Sequence, residues 1–262
     1  MTILTVERRG AVAHLTMNAP ERLNALSDEM LAALQTTLDD FANDATTRVI
    51  TLAGTGKAFC AGHDLRQMTA MRQNPDGGAA AFKNLFDRCT AVMTRIQTLP
   101  QPVIAQVHGL ATAAGCQLVA TCDLAVATDS CRFGVNGVNI GLFCSTPMVA
   151  LTRNIARKQA FELLTTGEFI SAERAVDLGL INKAVPEADL ASATAALAER
   201  IAGKLGPAVR IGKEAFYQQL EMSTAQAYAF AGDVMVQNML RNDTKEGIDA
   251  FLEKRPPDWS QD

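Results

Sequence analysis

GKAFCAGHDL at residues 56–65 and HGLATAAGCQ at residues 108–117 are two stretches of the same design. Each begins where a strand-like apolar run ends, at residues 48–53 and 102–107, and turns through small residues into a predicted helix start. Such a turn leaves backbone N–H groups unpaired at a helix N-terminus, where partial positive charge collects. Two of these donors converging on one carbonyl oxygen would form an oxyanion hole.

The first two-thirds of the 262-residue chain alternate predicted strands with predicted helices. One helix is predicted over residues 27–41, where Ser27 is a suitable N-cap, and another over residues 79–98, which ends before Pro100. Strand–helix–strand order implies parallel strands joined by crossovers, hence an α/β architecture. The glycine-rich segment at residues 74–78 is either a surface loop or a mobile flap over a ligand. Strands are predicted at residues 4–7, 11–17, 49–53, 103–107, 124–127 and 181–185.

The pattern changes near residue 205, after which only helices are predicted. We expect residues 1–205 to form an α/β core and residues 206–262 a separate helical region. This region carries more apolar side chains than a helical segment exposed to solvent usually does, so it is expected to pack on the core or on a neighbouring subunit. The predicted helices are residues 207–222, 224–240 and 243–254, and the apolar side chains include Phe216, Tyr217, Met235, Met239 and Phe251.

Composition restricts the classes of function. Hydrophobic residues make up 48% of the chain and the formal net charge is −4, which does not fit a nucleic-acid-binding surface. No apolar run approaches the roughly 20 residues of a membrane helix, so no membrane partner is expected. Residues 2–9 alternate like a strand rather than forming a signal peptide.

The six cysteines form no C-x-x-C pair, so no metal site is predicted. Unpaired thiols in apolar surroundings suit a reducing compartment, and a cytoplasmic location is predicted.

Further motifs occur together and in order along the chain. They are PERLNAL at residues 20–26, CDLAVA at 122–127, TGEFISA at 166–172 and GLI at 179–181, in addition to the two stretches above. Together these motifs resemble those of the enoyl-CoA hydratase/isomerase (crotonase) superfamily over essentially the whole chain. The resemblance implies an α/β fold built as a crotonase-like spiral of ββα and βαβ turns, with a C-terminal helical region used for trimer formation. A homotrimer, or a homohexamer as a dimer of trimers, is therefore expected.

The resemblance also implies a coenzyme A thioester as the substrate, with no prosthetic group. The thioester oxygen would accept hydrogen bonds from the backbone N–H groups of His63 and Ala114, where small neighbours allow close approach. The basic side chains nearby are either phosphate ligands or solvated surface charges, and Asp64 is expected to cap or bond the backbone. The positions implied around coenzyme A are Arg22, Ala25, Lys57, Ala61, Asp64, Leu65, Arg66 and Gly115.

Two positions depart from the superfamily pattern. Adding water to an enoyl thioester needs one group that takes a proton from water and another that protonates the α carbon. The hydratases use two glutamates, which align with Gln117 and Gly137 here, and neither residue can act as an acid or base near neutral pH. Efficient classical hydration is therefore not expected. The remaining candidates are the imidazole of His63, otherwise a pocket wall, and Cys144, either a nucleophile or a buried, inert thiol.

Three classes of function are compared on these residues. An enzyme of the lyase, isomerase or hydrolase type would use the oxyanion site to stabilise an enolate or a tetrahedral intermediate. A non-catalytic acyl-CoA-binding protein would keep the pocket without turnover. RNA binding, which one crotonase relative achieves through a lysine-rich first helix, is excluded because residues 27–43 contain no lysine and several acidic residues.

Overall fold

The computed structural model describes residues 2–260, in which the strands form two sheets. The larger sheet has six strands in the order β1-β2-β3-β4-β6-β9, and the smaller has three in the order β5-β7-β8. The strands are β1 (Leu4–Arg9), β2 (Val12–Met17), β3 (Val49–Gly54), β4 (Val103–Val107), β5 (Leu110–Thr112), β6 (Leu124–Thr128), β7 (Arg132–Gly134), β8 (Ile170–Ser171) and β9 (Lys183–Val185).

Helices surround these sheets and make up most of the rest of the described chain. They are α1 (Asp28–Ala42), α2 (Leu65–Met71), α3 (Ala79–Thr98), α4 (Ala114–Thr121), α5 (Pro147–Asn154), α6 (Arg157–Thr166), α7 (Ala172–Asp177), α8 (Leu190–Ala202), α9 (Gly206–Gln219), α10 (Thr224–Met239) and α11 (Asn242–Glu253). Short 3-10 helices lie at Pro20–Arg22, Asn136–Ile140 and Glu187–Asp189. Within residues 2–260, no helix combines the length and apolar character needed to cross a bilayer.

Strand pairing in the larger sheet confirms the α/β architecture predicted from the alternation of elements. The pairs from β2 through to β9 are parallel, whereas β1 pairs antiparallel with β2 through a hairpin at Gly10, where φ is +58°. The second sheet was not predicted. Its strands are only two or three residues long, too short to show a period of two in the sequence.

Successive residues along the central strands face two separate apolar cores. Ala13 and Ala105 belong to the core that α1 and α3 cover, whereas Val12 and Ile104 belong to a smaller core that α8 covers. Helix α1 begins as predicted, because the Ser27 hydroxyl accepts a hydrogen bond of 3.2 Å from the backbone N–H of Met30. The helices therefore lie on both faces of the parallel sheet, as such sheets require.

A buried ion pair fastens α9 to the core. The ammonium of Lys213 donates to the carbonyl oxygens of Ile96 and Gln101 at 2.8 and 2.9 Å and to the carboxylate of Asp123 at 2.6 Å. The Tyr217 hydroxyl donates to the second carboxylate oxygen of Asp123 at 2.8 Å. Each donor and acceptor in this cluster has a hydrogen-bond partner, and these bonds offset the desolvation free energy of the buried charges.

Helices α10 and α11 leave most of their apolar side chains uncovered. No residue of α10 is buried within the described part of the chain, and α11 buries only Asp243 and Ala250. Leu240 and Phe251 are each 81% exposed. The sequence led us to expect this region either to pack on the core or to contact another subunit. The structure shows that α10 does not pack on the core.

Candidate active site

Two loops lie side by side above the carboxyl ends of β3 and β4. Backbone hydrogen bonds join them: Phe59 N–H donates to the His108 carbonyl at 3.1 Å, and Cys60 N–H donates to the Leu110 carbonyl at 3.2 Å. The Thr112 N–H returns a bond of 3.1 Å to the Cys60 carbonyl. The first loop therefore runs parallel to β5 and extends the small sheet.

Glycines permit this close approach. A methyl group on Gly109 would overlap the carbonyl oxygen of Lys57, and one on Gly115 would overlap the carbonyl oxygen of Cys60. At Gly62, where φ is +89°, a methyl would lie 3.2 Å from the backbone nitrogen of Ala114. The small residues quoted from the sequence are thus those that hold the two loops in contact.

The backbone N–H groups of His63 and Ala114 donate no hydrogen bond to any residue within 2–260. Ala114 is the first residue of α4, so its N–H has no intrahelical partner. The preceding residue, Ala113, is held at φ +50° and ψ −120°, and its own N–H bonds the Gly134 carbonyl at 2.9 Å. A non-glycine residue at positive φ is strained, and such strain is typical of functional loops.

A cavity of about 270 Å³ opens beside the first loop. Asp64 caps α2 by accepting from the N–H groups of Arg66 and Gln67 at 2.9 and 3.3 Å, the structural role expected for it. Lys57 and Gly115 do not line this cavity, since Lys57 lies on the outer surface and Gly115 is buried against Cys60. The predicted positions that the cavity brings together are Arg22, Ala25, Ala61, His63, Asp64, Leu65 and Arg66.

Asn24 holds the rim of this cavity, a role that sequence reasoning missed. It is fully buried with φ +53°; its side-chain oxygen accepts from the Ala19 N–H at 2.9 Å, and its side-chain nitrogen donates to the Thr55 and Ala58 carbonyls at 2.8 Å each. These bonds fasten residues 19–24 to the end of β3. An asparagine inside the PERLNAL motif is the signal that could have revealed it, because asparagine tolerates left-handed backbone.

The His63 ring lies between the cavity and a second, apolar one. Neither ring nitrogen has a hydrogen-bond partner among the described residues, and the ring meets Phe86 edge-on at 5.6 Å between centroids. Burial lowers the pKa of His63, opposed in part by the Leu26 carbonyl. The imidazole is therefore neutral near pH 7 and is chemically able to accept a proton.

The two positions aligned with glutamates lie under the second loop. Gln117 is 5% exposed and its side-chain oxygen is buried without a partner in the described chain. A methyl group on Gly137 would overlap the Leu142 carbonyl oxygen and would lie 2.9 Å from the sulfur of Cys144. Burial raises the pKa of Cys144, so this thiol stays protonated at neutral pH, which favours the inert alternative.

A second cavity, of about 340 Å³ and mostly apolar, continues from the first. Leu65 lines both cavities, so they share a wall at the start of α2. Sequence reasoning missed this second cavity, although the signal was present: Leu65, Met68, Thr69 and Arg72 recur at the spacing of one helical face. Among residues 2–260, no group of three or more metal-ligating side chains lies together.

The sheet order and the paired loops are those of the crotonase fold, and solved structures confirm this class. A crystal structure of an enoyl-CoA hydratase from Mycobacterium smegmatis superimposes with a TM-score of 0.95 at 52% identity, covering 98% of each chain. A crystal structure of human enoyl-CoA hydratase domain-containing protein 3 superimposes with a TM-score of 0.93 at 43% identity, covering 98% of this chain and 100% of that one.

Sequence comparison gives the same result. The family model described as enoyl-CoA hydratase/isomerase matches residues 7–262. Mitochondrial enoyl-CoA hydratase domain-containing protein 3 from Xenopus laevis is 45% identical over 260 residues, which cover 99% of this chain and 87% of the relative. The chain therefore belongs to the enoyl-CoA hydratase/isomerase family, as the motifs predicted.

These relatives also correct the predicted location. The proteins from Xenopus laevis, Homo sapiens and Rattus norvegicus are named as mitochondrial, which contradicts the cytoplasmic location predicted from composition. That prediction was wrong because it rested on the cysteines. All six are free and buried, a pattern that indicates a reducing environment without distinguishing one such compartment from another.

Proposed function

We propose that this protein binds an acyl-CoA thioester and stabilises an enolate or tetrahedral oxyanion formed from it. The observation that carries the proposal is the pair of unpartnered backbone N–H groups, at His63 and Ala114, on loops that glycine contacts hold together. Preorganised donors of this kind act without reorganising when charge develops, which makes them effective in catalysis. Membership of a family described as enoyl-CoA hydratase/isomerase supports the thioester as the ligand.

The cavity beside the first loop is proposed to receive the coenzyme A part of the substrate. Arg22 and Arg66 line it and Lys57 lies on the outer surface, so the phosphate charges would meet basic side chains. Ala25 and Ala61 leave room for the pantetheine arm, and Leu65 marks the passage to the acyl group. Coenzyme A enters as part of the substrate, and no prosthetic group is proposed.

The proposed chemistry is that of an acyl-CoA lyase or isomerase, or of a thioester hydrolase, rather than classical hydration. Gln117 and Gly137 offer no acid or base, whereas the neutral ring of His63 lines the first cavity and contacts Phe86, which lines the second. His63 is thus the side chain best placed to accept a proton. Gln117 would orient a water or an acyl oxygen.

A non-catalytic acyl-CoA-binding protein is the second candidate. The absence of both carboxylates favours it, since losing a positioned acid or base typically costs about 10²–10⁴-fold in rate for each. The strained backbone of Ala113 favours retained chemistry.

Mass spectrometry of the purified protein with a panel of acyl-CoA esters tests the proposal, because it reports both binding and turnover. We expect acyl-CoA esters to bind. Binding without any turnover would establish the second candidate, and failure to bind any acyl-CoA would overturn both.

We also propose that the apolar face of α10 and α11 packs against another copy of the chain, giving a homotrimer or homohexamer. Tyr228, Leu240 and Phe251 are each about four-fifths exposed, and contact with another subunit would cover this apolar surface. Leu240→Glu should dissociate the assembly in multi-angle light scattering. Phe161→Glu, an equally apolar exposed position on α6, is the matched control and should leave it intact. A wild-type monomer at micromolar concentration would contradict the proposal.

A further inference from the structure

One face of α2 forms the floor of the apolar cavity. Leu65, Met68, Thr69 and Arg72 lie at positions i, i+3, i+4 and i+7 and all line it. Thr69 uses its hydroxyl to bond the Leu65 carbonyl at 2.8 Å, so it offers no free proton donor to a ligand. The floor is therefore apolar from Leu65 as far as Arg72.

The opposite walls are apolar as well. Phe82 and Phe86 come from α3, and Ile140 and Leu142 come from the end of the 3-10 helix and the loop after it. Ile140 is 64% exposed and Leu142 is 44% exposed, so residues 2–260 leave much of their apolar surface uncovered. An alkyl chain lying in the cavity would cover them.

Arg72 is the single charged side chain that lines this cavity. Its guanidinium lies 5.9 Å above the ring of Phe82 and forms no ion pair with any residue within 2–260. At this distance the ring attracts the cation only weakly, and the N–H groups of the exposed Arg72 guanidinium remain available to a ligand. The far end of an otherwise apolar cavity thus presents one unpaired positive charge.

The spacing along α2 sets the length of chain that reaches this charge. Seven residues separate Leu65, at the thioester end, from Arg72, which is about 10 Å along a helix. An extended chain advances about 1.2 Å per bond, so an acyl group of roughly five to eight carbons ends within reach of the guanidinium.

We propose that the substrate is the monothioester of a dicarboxylic acid, with its free carboxylate bound by Arg72. The inference rests on the proposed function, because it takes the thioester to lie at His63 and Ala114. A carboxylate matches the guanidinium in charge and in bidentate geometry, whereas the side chains between Leu65 and Arg72 offer it no free hydrogen-bond donor. Arg72 is accordingly a specificity-determining residue.

Isothermal titration of the full-length protein with chain-matched pairs tests the assignment. The pairs are glutaryl-CoA with valeryl-CoA, adipyl-CoA with hexanoyl-CoA, and suberyl-CoA with octanoyl-CoA. We expect at least one dicarboxylic member to bind about fivefold or more tightly than its neutral partner. The preference should shrink as salt is raised, because it depends on charge.

Variants separate charge recognition from a structural role at the end of α2. Arg72→Met keeps the length of the side chain and should abolish the preference while leaving binding of the neutral esters within about twofold. Lys83→Met removes a nearby surface cation that is paired with Asp87 at 2.6 Å, and it should retain the preference. If Arg72 had only a structural role, Arg72→Met would instead weaken the binding of all six esters to the same extent.

Two outcomes overturn the inference while leaving the proposed function intact. One is equal affinity for the charged and neutral partners in the wild type, and the other is a preference that survives Arg72→Met. If none of the six esters binds, the proposed function fails and the role of Arg72 fails with it.

Discussion

Replacing Gly115 with alanine is expected to abolish acyl-CoA binding and to lower the free energy of unfolding by about 3 kcal/mol. The added methyl would overlap the carbonyl oxygen of Cys60, a backbone atom that cannot rotate away. The two loops would have to separate, which would disrupt the oxyanion site proposed at the N–H groups of His63 and Ala114. Urea denaturation and titration with an acyl-CoA ester measure the two effects.

Two other glycines serve as controls. Gly212→Ala lies within α9, where a methyl meets no described atom within 4 Å, and it should keep binding while gaining up to about 1 kcal/mol of stability. Gly62→Ala would put its methyl 3.2 Å from the nitrogen of Ala114 on a backbone with φ +89°, so it should weaken binding and also destabilise the fold. Wild-type affinity and stability in Gly115→Ala would contradict the packing of the loops.

Hydration of crotonyl-CoA by the unmodified protein should be at least about 10⁴-fold slower than in a family hydratase that carries both glutamates. The proposed oxyanion donors would lower the barrier for charge development, but Gln117 and Gly137 offer no group that can transfer a proton. The measurement is loss of the enoyl absorbance, with such a hydratase as the positive control. Hydration at rates typical of the family would show that another group, with His63 foremost, does the acid–base work.

Restoring a glutamate should raise the hydration rate at position 117 but not at position 137. Gln117→Glu should raise the hydration rate about 10-fold or more, because burial would raise the pKa of the new carboxyl towards neutrality. Gln117→Met, similar in size and without a proton to move, is the matched control. Gly137→Glu should fail, since its side chain would enter the space of the Leu142 carbonyl and the Cys144 sulfur.

Local signals in the sequence predicted the elements that local chemistry dictates. The Ser27 cap starts α1, and the α3 helix predicted over residues 79–98 is observed as Ala79–Thr98. The small residues around both loops indicated close backbone approach, and the glycine contacts show it. These features depend on neighbours within a few residues, so periodicity and turn chemistry were enough to find them.

Features that depend on distant partners were not predictable in this way. Asp123 was read as structural, but its partner Lys213 is 90 residues away and no pattern links the two. Arg72 becomes notable only when α3 supplies Phe82 and the segment after β7 supplies Ile140. The helical spacing of Leu65, Met68, Thr69 and Arg72 marks only one wall of the second cavity, and the other walls come from distant segments, which is why the whole cavity emerged only from the structure.

A crystal structure of the protein with a bound acyl-CoA ester would locate the thioester directly. We expect its oxygen about 2.7–3.1 Å from the backbone nitrogens of both His63 and Ala114, with the acyl chain running along α2 towards Arg72. A thioester bound with its oxygen away from either nitrogen would contradict this expectation.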